Sequence, residues 1–120
     1  GWWSIYRMAR REKEKEKEMK SVTIDNQKYF FLKIRWVDIV GTSTLEGNTE
    51  FDKLKCANII TEAYLYDIFE EGGREYVRTF SSYSMDPDPG YGDRNVYPME
   101  VFDKPSQKAI REAHRAMLRA

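Results

Sequence analysis

The strongest constraint on the fold is the stretch 29–40, in which apolar and polar side chains alternate. One side of this stretch carries Phe30, Leu32, Ile34 and Trp36, and the other carries Phe31, Lys33 and Arg35. A period of two is that of a half-buried β-strand. With 120 residues the chain can bury one hydrophobic core but not two. The alternation therefore predicts a single β-rich domain organised around this strand, which Gly41 ends.

Four further segments favour strands, and they are 22–24, 59–68, 76–83 and 95–97, with Phe102-Asp103 as a final strand. Segment 59–68 is largely apolar on both faces, as expected for a strand that curves through a closed barrel. Gly72-Gly73 tolerates positive φ and predicts a tight hairpin turn. The segment 86–93, DPDPGYGD, is predicted to form neither helix nor strand because of its prolines and glycines.

Two short helical signals flank these strands. Thr49 is a candidate N-cap for a helical turn over 50–55 in the first long loop. Pro105-Ser106 opens a helix to the C-terminus, in which Ile110, Ala113 and Met117 form an apolar stripe. Because that stripe is narrow, we expect this helix to pack on the domain without being central to its core.

The chain divides into three parts: a charged extension at 1–20, a barrel domain at 21–105 and a C-terminal helix at 106–120. Gly1 does not initiate translation, and the text from Met19 resembles an ordinary domain start, so we expect residues 1–18 to be non-native. The alternating EKEKEKE of 12–18 predicts a marginal, solvated helix, because its i,i+3 pairs are opposite in charge and its i,i+4 pairs are alike.

Charge is unevenly distributed although the net charge is zero. The extension and the C-terminal helix each carry +3, whereas residues 21–105 hold nine Lys/Arg and fifteen Asp/Glu. An acidic domain repels a phosphate backbone, which argues against nucleic acid as its main partner. No apolar run is long enough for a membrane helix, and the apolar residues at the start precede the positive charges, unlike a secretory signal. We therefore expect a cytoplasmic protein with no membrane partner.

The side chains of this sequence give little support for a catalytic site or a metal site. The single cysteine, Cys56, excludes an intramolecular disulfide and a cysteine-based zinc cage, and we expect a buried, inert thiol. The single histidine, His114, is expected to face solvent on the C-terminal helix. Asp86, Asp88 and Asp93 do not match the calcium-loop spacing. We predict a protein that is not an enzyme and uses no metal and no cofactor.

The segments KIRWVDIV, EAYLYD, VRTFSSY and GDRNVYPMEVF resemble small Sm-like proteins, mostly phage-associated and marine microbial, with no assigned activity. The resemblance covers 28–102 and implies a mainly β, five-stranded SH3-like or Sm-like barrel with flanking N- and C-terminal helices. It also implies the ring-forming habit of that fold, hence a homo-oligomer. The RNA-binding signature is not carried over, because Asp-x-x-Met-Asn is missing and Gly92-Asp93-Arg94-Asn95 lacks the Arg-Gly pair.

Two sets of candidate binding residues follow. In an SH3-like barrel, Tyr91, Tyr97 and Pro98 would line a groove for a proline-rich or basic peptide, with a rim formed by Glu46, Glu50 and Asp52; alternatively these aromatic residues belong to the core. The leading hypothesis is a non-enzymatic assembly or protein-interaction module. The alternative is a protein that binds single-stranded RNA or DNA through Tyr91, Arg94 and Asn95, with stacking aromatic rings.

Overall fold

The structure, a computed structural model, describes the backbone of residues 1–120 and all side chains except those of residues 12 and 15–18. Its three helices are α1 (Trp2–Glu18), α2 (Asn48–Asp52) and α3 (Lys104–Arg119). Its strands are β1 (Ser21–Ile24), β2 (Gln27–Asp38), β3 (Ala57–Glu71), β4 (Arg74–Phe80), β5 (Ser82–Tyr83), β6 (Tyr91–Gly92) and β7 (Asn95–Pro98). A single 3₁₀ turn, Met99–Val101, follows β7.

The main sheet is five-stranded and antiparallel, in the order β1-β2-β3-β4-β7. The predicted mainly β class, five main strands and flanking helices are thus confirmed. The sheet is not closed into a barrel. One isolated antiparallel bridge joins Trp36 of β2 to Phe102, beyond the 3₁₀ turn, and Phe102 takes the place of the predicted final strand.

The alternation predicted for β2 is confirmed. Phe30, Leu32 and Ile34 are buried, whereas Lys33 and Arg35 are exposed. The β1-β2 hairpin turns at Asp25 and Asn26, both with positive φ, and the β3-β4 hairpin turns at Gly72 and Gly73 with φ of 60° and 75°. Positive φ at both central residues defines the two-residue turn that matches the twist of the flanking strands.

The prediction that segment 86–93 contains no strand is wrong at its end. Tyr91 and Gly92 form β6, which pairs with Tyr83 and Ser82 of β5. A Cβ at position 92 would come within 2.4 Å of the Ser82 Oγ. Any other residue at position 92 would require the Ser82 hydroxyl to rotate away.

Helix α3 is more central than its narrow stripe predicts. Ile110, Ala113 and Met117 are buried as expected, but Ala116 and Ser106 are buried as well. The four apolar residues belong to the same core cluster as the large buried side chains of the sheet, such as Phe30, Leu65 and Phe80. Small alanines allow the helix to lie close to the sheet, so α3 forms one wall of the core.

Two predictions for the first long loop are corrected. Helix α2 begins at Asn48 with Gly47 as its N-cap and no side-chain cap, so Thr49 lies inside the helix. Cys56, expected to be buried, is exposed because it precedes β3 outside the core.

Helix α1 lies apart from the core, and Trp2, Trp3 and Tyr6 are exposed. The charge pairs predicted within 12–18 involve side chains outside those described. Among the described residues, no helix combines the length and apolarity needed to cross a membrane.

Candidate functional site

An aromatic cluster joins four strands on one side of the sheet. Tyr29 of β2, Tyr66 of β3 and Phe80 of β4 surround Tyr91 of β6, with ring centroids 5.9, 5.4 and 5.0 Å from that of Tyr91. The three pairs meet edge to face, at 74° to 78°, a geometry that aromatic rings favour over face-to-face contact. The Tyr91 ring is thus in contact with three other rings.

Tyr66 is exposed because of a β-bulge. The register between β3 and β4 shifts between Leu65, which pairs with Thr79, and Asp67, which pairs with Arg78. The extra residue is Tyr66, whose side chain is 38% exposed although both preceding residues are buried. Bulges redirect side chains and are common near binding sites. Here the bulge presents an aromatic ring to solvent beside the β4-β7 pair.

Arg78 is held in place by a carboxylate and two rings. Its Nε donates to the Asp67 Oδ1 at 2.7 Å, and its Nη2 donates to the Oδ2. The guanidinium carbon lies 4.4 Å from the centroid of the Phe69 ring and 5.7 Å from that of Tyr66. The hydrogen bond with Asp67 raises the pKa of Arg78. The positive charge of Arg78 is thus largely matched within the protein.

These groups line an open pocket of about 470 Å³ over strands β3, β4 and β7. We call it the β7 pocket, and its lining residues are Tyr66, Arg78, Thr79, Phe80, Tyr91, Arg94, Asn95 and Val96. No carboxylate is among them. A volume of this size suits a small molecule or one or two side chains of a partner.

Two polar groups of the β7 pocket have unused binding capacity. Arg94 is exposed and forms no ion pair with any described side chain. The hydroxyl of Thr79 is buried and has no hydrogen-bond partner among the described residues. Buried polar groups without a partner are uncommon in folded proteins. The pocket therefore offers one free cation beside aromatic rings, whereas the Thr79 hydroxyl is closed to solvent.

The phenols of Tyr29 and Tyr91 lie within hydrogen-bond distance, with their oxygens 3.2 Å apart. Burial raises the pKa of Tyr29, and the hydrogen bond with Tyr91 adds to this effect. Because the change is upward from an ordinary value near 10, Tyr29 is neutral at physiological pH. The neutral phenol of Tyr29 is therefore a hydrogen-bond partner for the phenol of Tyr91.

The structure brings together the second set of predicted binding residues, since Tyr91, Arg94 and Asn95 all line the β7 pocket. The first set is dispersed around the molecule. Tyr97 is 6% exposed, and its ring centroid lies 5.0 Å from that of Trp36 and 5.1 Å from that of Phe102. Tyr97 therefore belongs to the core.

The remaining members of the first set do not line the β7 pocket. Pro98 is half-buried at the end of β7, where it leads into the 3₁₀ turn. Glu46, Glu50 and Asp52 are exposed on the first long loop and α2, and Glu50 pairs with Lys53 at 3.2 Å.

Sequence reasoning did not assign Tyr66, Arg78 or Thr79 to a site. Simple alternation places Tyr66 on the same face as Tyr64, and the bulge that separates their environments has no signature in the sequence. The pairing of Arg78 with Asp67 across β4 and β3 also depends on the shifted register.

His114 is half-buried and lies between two smaller pockets along α3. One is lined by Glu75, Arg111 and Arg115 among others, and the other by Tyr29, Tyr66 and Asp67. The described side chains include no group of three or more His, Cys, Asp or Glu placed to hold a metal ion.

Neither a protein family, nor a curated protein, nor a solved structure matches the chain.

Proposed function

We propose that the chain is a non-enzymatic assembly module that works by self-association and is built on a small SH3-like or Sm-like barrel. Three backbone contacts of β2 support the barrel. Besides the Trp36–Phe102 bridge, the Arg35 carbonyl accepts from the Asp103 N–H at 3.1 Å, and the Arg35 N–H donates to the Ser106 Oγ at 2.7 Å. A return of the last strand to the first is how a small barrel closes.

Self-association is supported most directly by the apolar side chains that the first long loop displays. Leu45 is 97% exposed and Phe51 is 71% exposed. Ile39 precedes them and is also exposed. Exposed apolar residues gathered on one segment mark an interaction surface more often than scattered single residues do. We define 39–52 as the loop surface and take it as one half of the interface.

Charge complementarity favours α3 of a second copy as the other half. Between 41 and 52 the loop surface carries Glu46, Glu50 and Asp52 and no basic residue. Helix α3 exposes Lys104, Lys108 and Arg115 together with the apolar Leu118. An acidic, apolar surface that meets a basic, partly apolar helix forms a head-to-tail contact, and such contacts generate rings when the rotation closes.

Light scattering on the full chain at micromolar concentration tests the proposal. We expect the mass of two or more chains, each of 14.3 kDa. Glu46→Lys and Lys108→Glu should each shift the protein toward monomer, because each places like charges across the contact. The two changes combined in one chain should restore the assembly.

Glu62→Lys serves as the matched control, because Glu62 is exposed on β3 outside both surfaces. It should leave the mass unchanged. A wild-type mass of 14.3 kDa would refute self-association. An oligomer that responds to neither Glu46→Lys nor Lys108→Glu would refute this interface.

A further inference from the structure

We propose that β7 and the β7 pocket bind an extended segment of another protein, which adds as a strand to the outer edge of β7 and carries an aromatic residue two positions from a carboxylate. This site is separate from the loop surface and α3, so it goes beyond the self-association proposed above.

Strand β7 lies at the edge of the main sheet. This strand pairs with β4 on one side, and along the backbone of the described chain no strand pairs with its other side. Asn95 and Val96 are exposed there. An unpaired edge presents N–H and C=O groups that an extended peptide can pair with, and this is a recurring mode of peptide recognition.

The β7 pocket lies beside that edge. Asn95 and Val96 belong both to β7 and to the pocket lining, and Val96 pairs with Arg78. A strand added to β7 would therefore direct alternate side chains toward the pocket. Tyr66 and Tyr91 provide an aromatic wall for the first of these, which favours an aromatic or similarly flat side chain.

The charge of the pocket favours a carboxylate on the partner segment. The only charged residues in the pocket lining are Arg78 and Arg94, and Arg78 is already paired with Asp67. Arg94 directly precedes β7 and lines the same pocket as Tyr66 and Tyr91, and side chains two apart on an added strand point to the same side. A carboxylate two residues from the aromatic side chain would meet Arg94.

Peptide is favoured over single-stranded nucleic acid for the same site. Nucleic-acid binding without base readout relies on several cations along the backbone. Residues 21–105 hold fifteen acidic and nine basic side chains, and the pocket lining offers a single unpaired guanidinium. One carboxylate can be matched locally by Arg94, whereas a run of phosphates would meet a repelling surface.

The test is a fluorescence titration of the full chain with a labelled peptide of Thr and Val residues that contains Tyr-Thr-Asp. We expect saturable binding with Kd below about 1 mM. Arg94→Glu and Tyr66→Ala should each weaken binding about tenfold or more. Peptide with Tyr-Thr-Lys should bind the Arg94→Glu variant better than the wild type. Amide NMR signals of Asn95 to Tyr97 should shift on binding.

The control is Arg7→Glu, the same charge reversal on exposed α1, which should leave the affinity unchanged. The absence of saturable peptide binding, or binding indifferent to Arg94→Glu, would overturn the proposal. Tighter binding of labelled oligouridylate at about 0.15 M salt, abolished by Arg94→Glu, would assign the pocket to nucleic acid instead. Light scattering of Arg94→Glu should give the wild-type mass, so failure of this site is separable from failure of self-association.

Discussion

The Ser106 hydroxyl accepts a hydrogen bond from the backbone N–H of Arg35 at 2.7 Å and thereby joins the first turn of α3 to β2. Ser106 is 5% exposed, so water has little access to this bond. The same serine donates its own N–H to the Asp103 carboxylate at 2.9 Å, which caps the helix. One short segment thus connects the end of the sheet to the start of the helix.

Ser106→Ala should destabilise the protein by about 1–3 kcal/mol, because it leaves the partly buried N–H of Arg35 without an acceptor. Urea unfolding measures the loss. Ser84→Ala is the matched control, since the Ser84 Oγ accepts from the Gly90 N–H at 2.8 Å in an exposed loop where water can replace it. The control should lose less than about 0.5 kcal/mol, and equal losses in both variants would contradict the assigned role of Ser106.

Asp103 should make stability depend on pH in the acid range. Hydrogen bonds from Ser106 lower the pKa of Asp103 in the folded protein. A carboxyl with a lowered folded pKa stabilises the protein above its unfolded pKa, near 3.9, and this contribution is lost as pH falls through the folded value. Asp103→Asn keeps an oxygen to cap the helix but removes the charge.

The difference in unfolding free energy between wild type and Asp103→Asn should therefore be largest at neutral pH and shrink below about pH 4. Urea unfolding at pH 7, 5, 4 and 3 measures it. A difference that stays constant over this range would show that the Asp103 charge does not contribute.

Ile110→Ala should cost about 2–5 kcal/mol, because Ile110 is fully buried between α3 and the sheet. Met85→Ala is the control, since Met85 is 73% exposed, lies outside both proposed binding surfaces and should change the free energy of unfolding by less than about 0.5 kcal/mol. A loss below 1 kcal/mol at Ile110 would mean that α3 is peripheral after all.

A chain that begins at Met19 should keep its melting temperature to within about 5 °C, roughly the effect of 1 kcal/mol in a domain of this size. The reason is that Trp2, Trp3 and Tyr6 are exposed and add no side chain to the core. Thermal unfolding followed by circular dichroism measures this. A much larger drop would show that α1 docks on the domain in solution.

Local patterns in the sequence determined the strands of the main sheet and its two tight hairpin turns. The alternation from Phe30 to Trp36 indicates which face of β2 is turned toward the core. Gly72-Gly73 and Asp25-Asn26 allow the positive φ of tight hairpins. Ile110 and Ala113 marked the buried side of α3 for the same reason, because hydrophobic periodicity follows the geometry of one element. Each of these signals depends only on neighbours along the chain.

Tertiary structure alone decided where these elements meet. The bulge at Tyr66, the pairing of Arg78 with Asp67 and the burial of Tyr97 depend on register and packing between strands far apart in sequence. Tyr97 does not line the predicted groove, because neighbouring side chains of β7 point to opposite faces of the strand. Tyr97 is buried in the core, and Val96 lines the β7 pocket. A one-residue change in register exchanges the two faces of a strand, which is why the sequence pattern determined the strand but not which of its aromatic residues faces a partner.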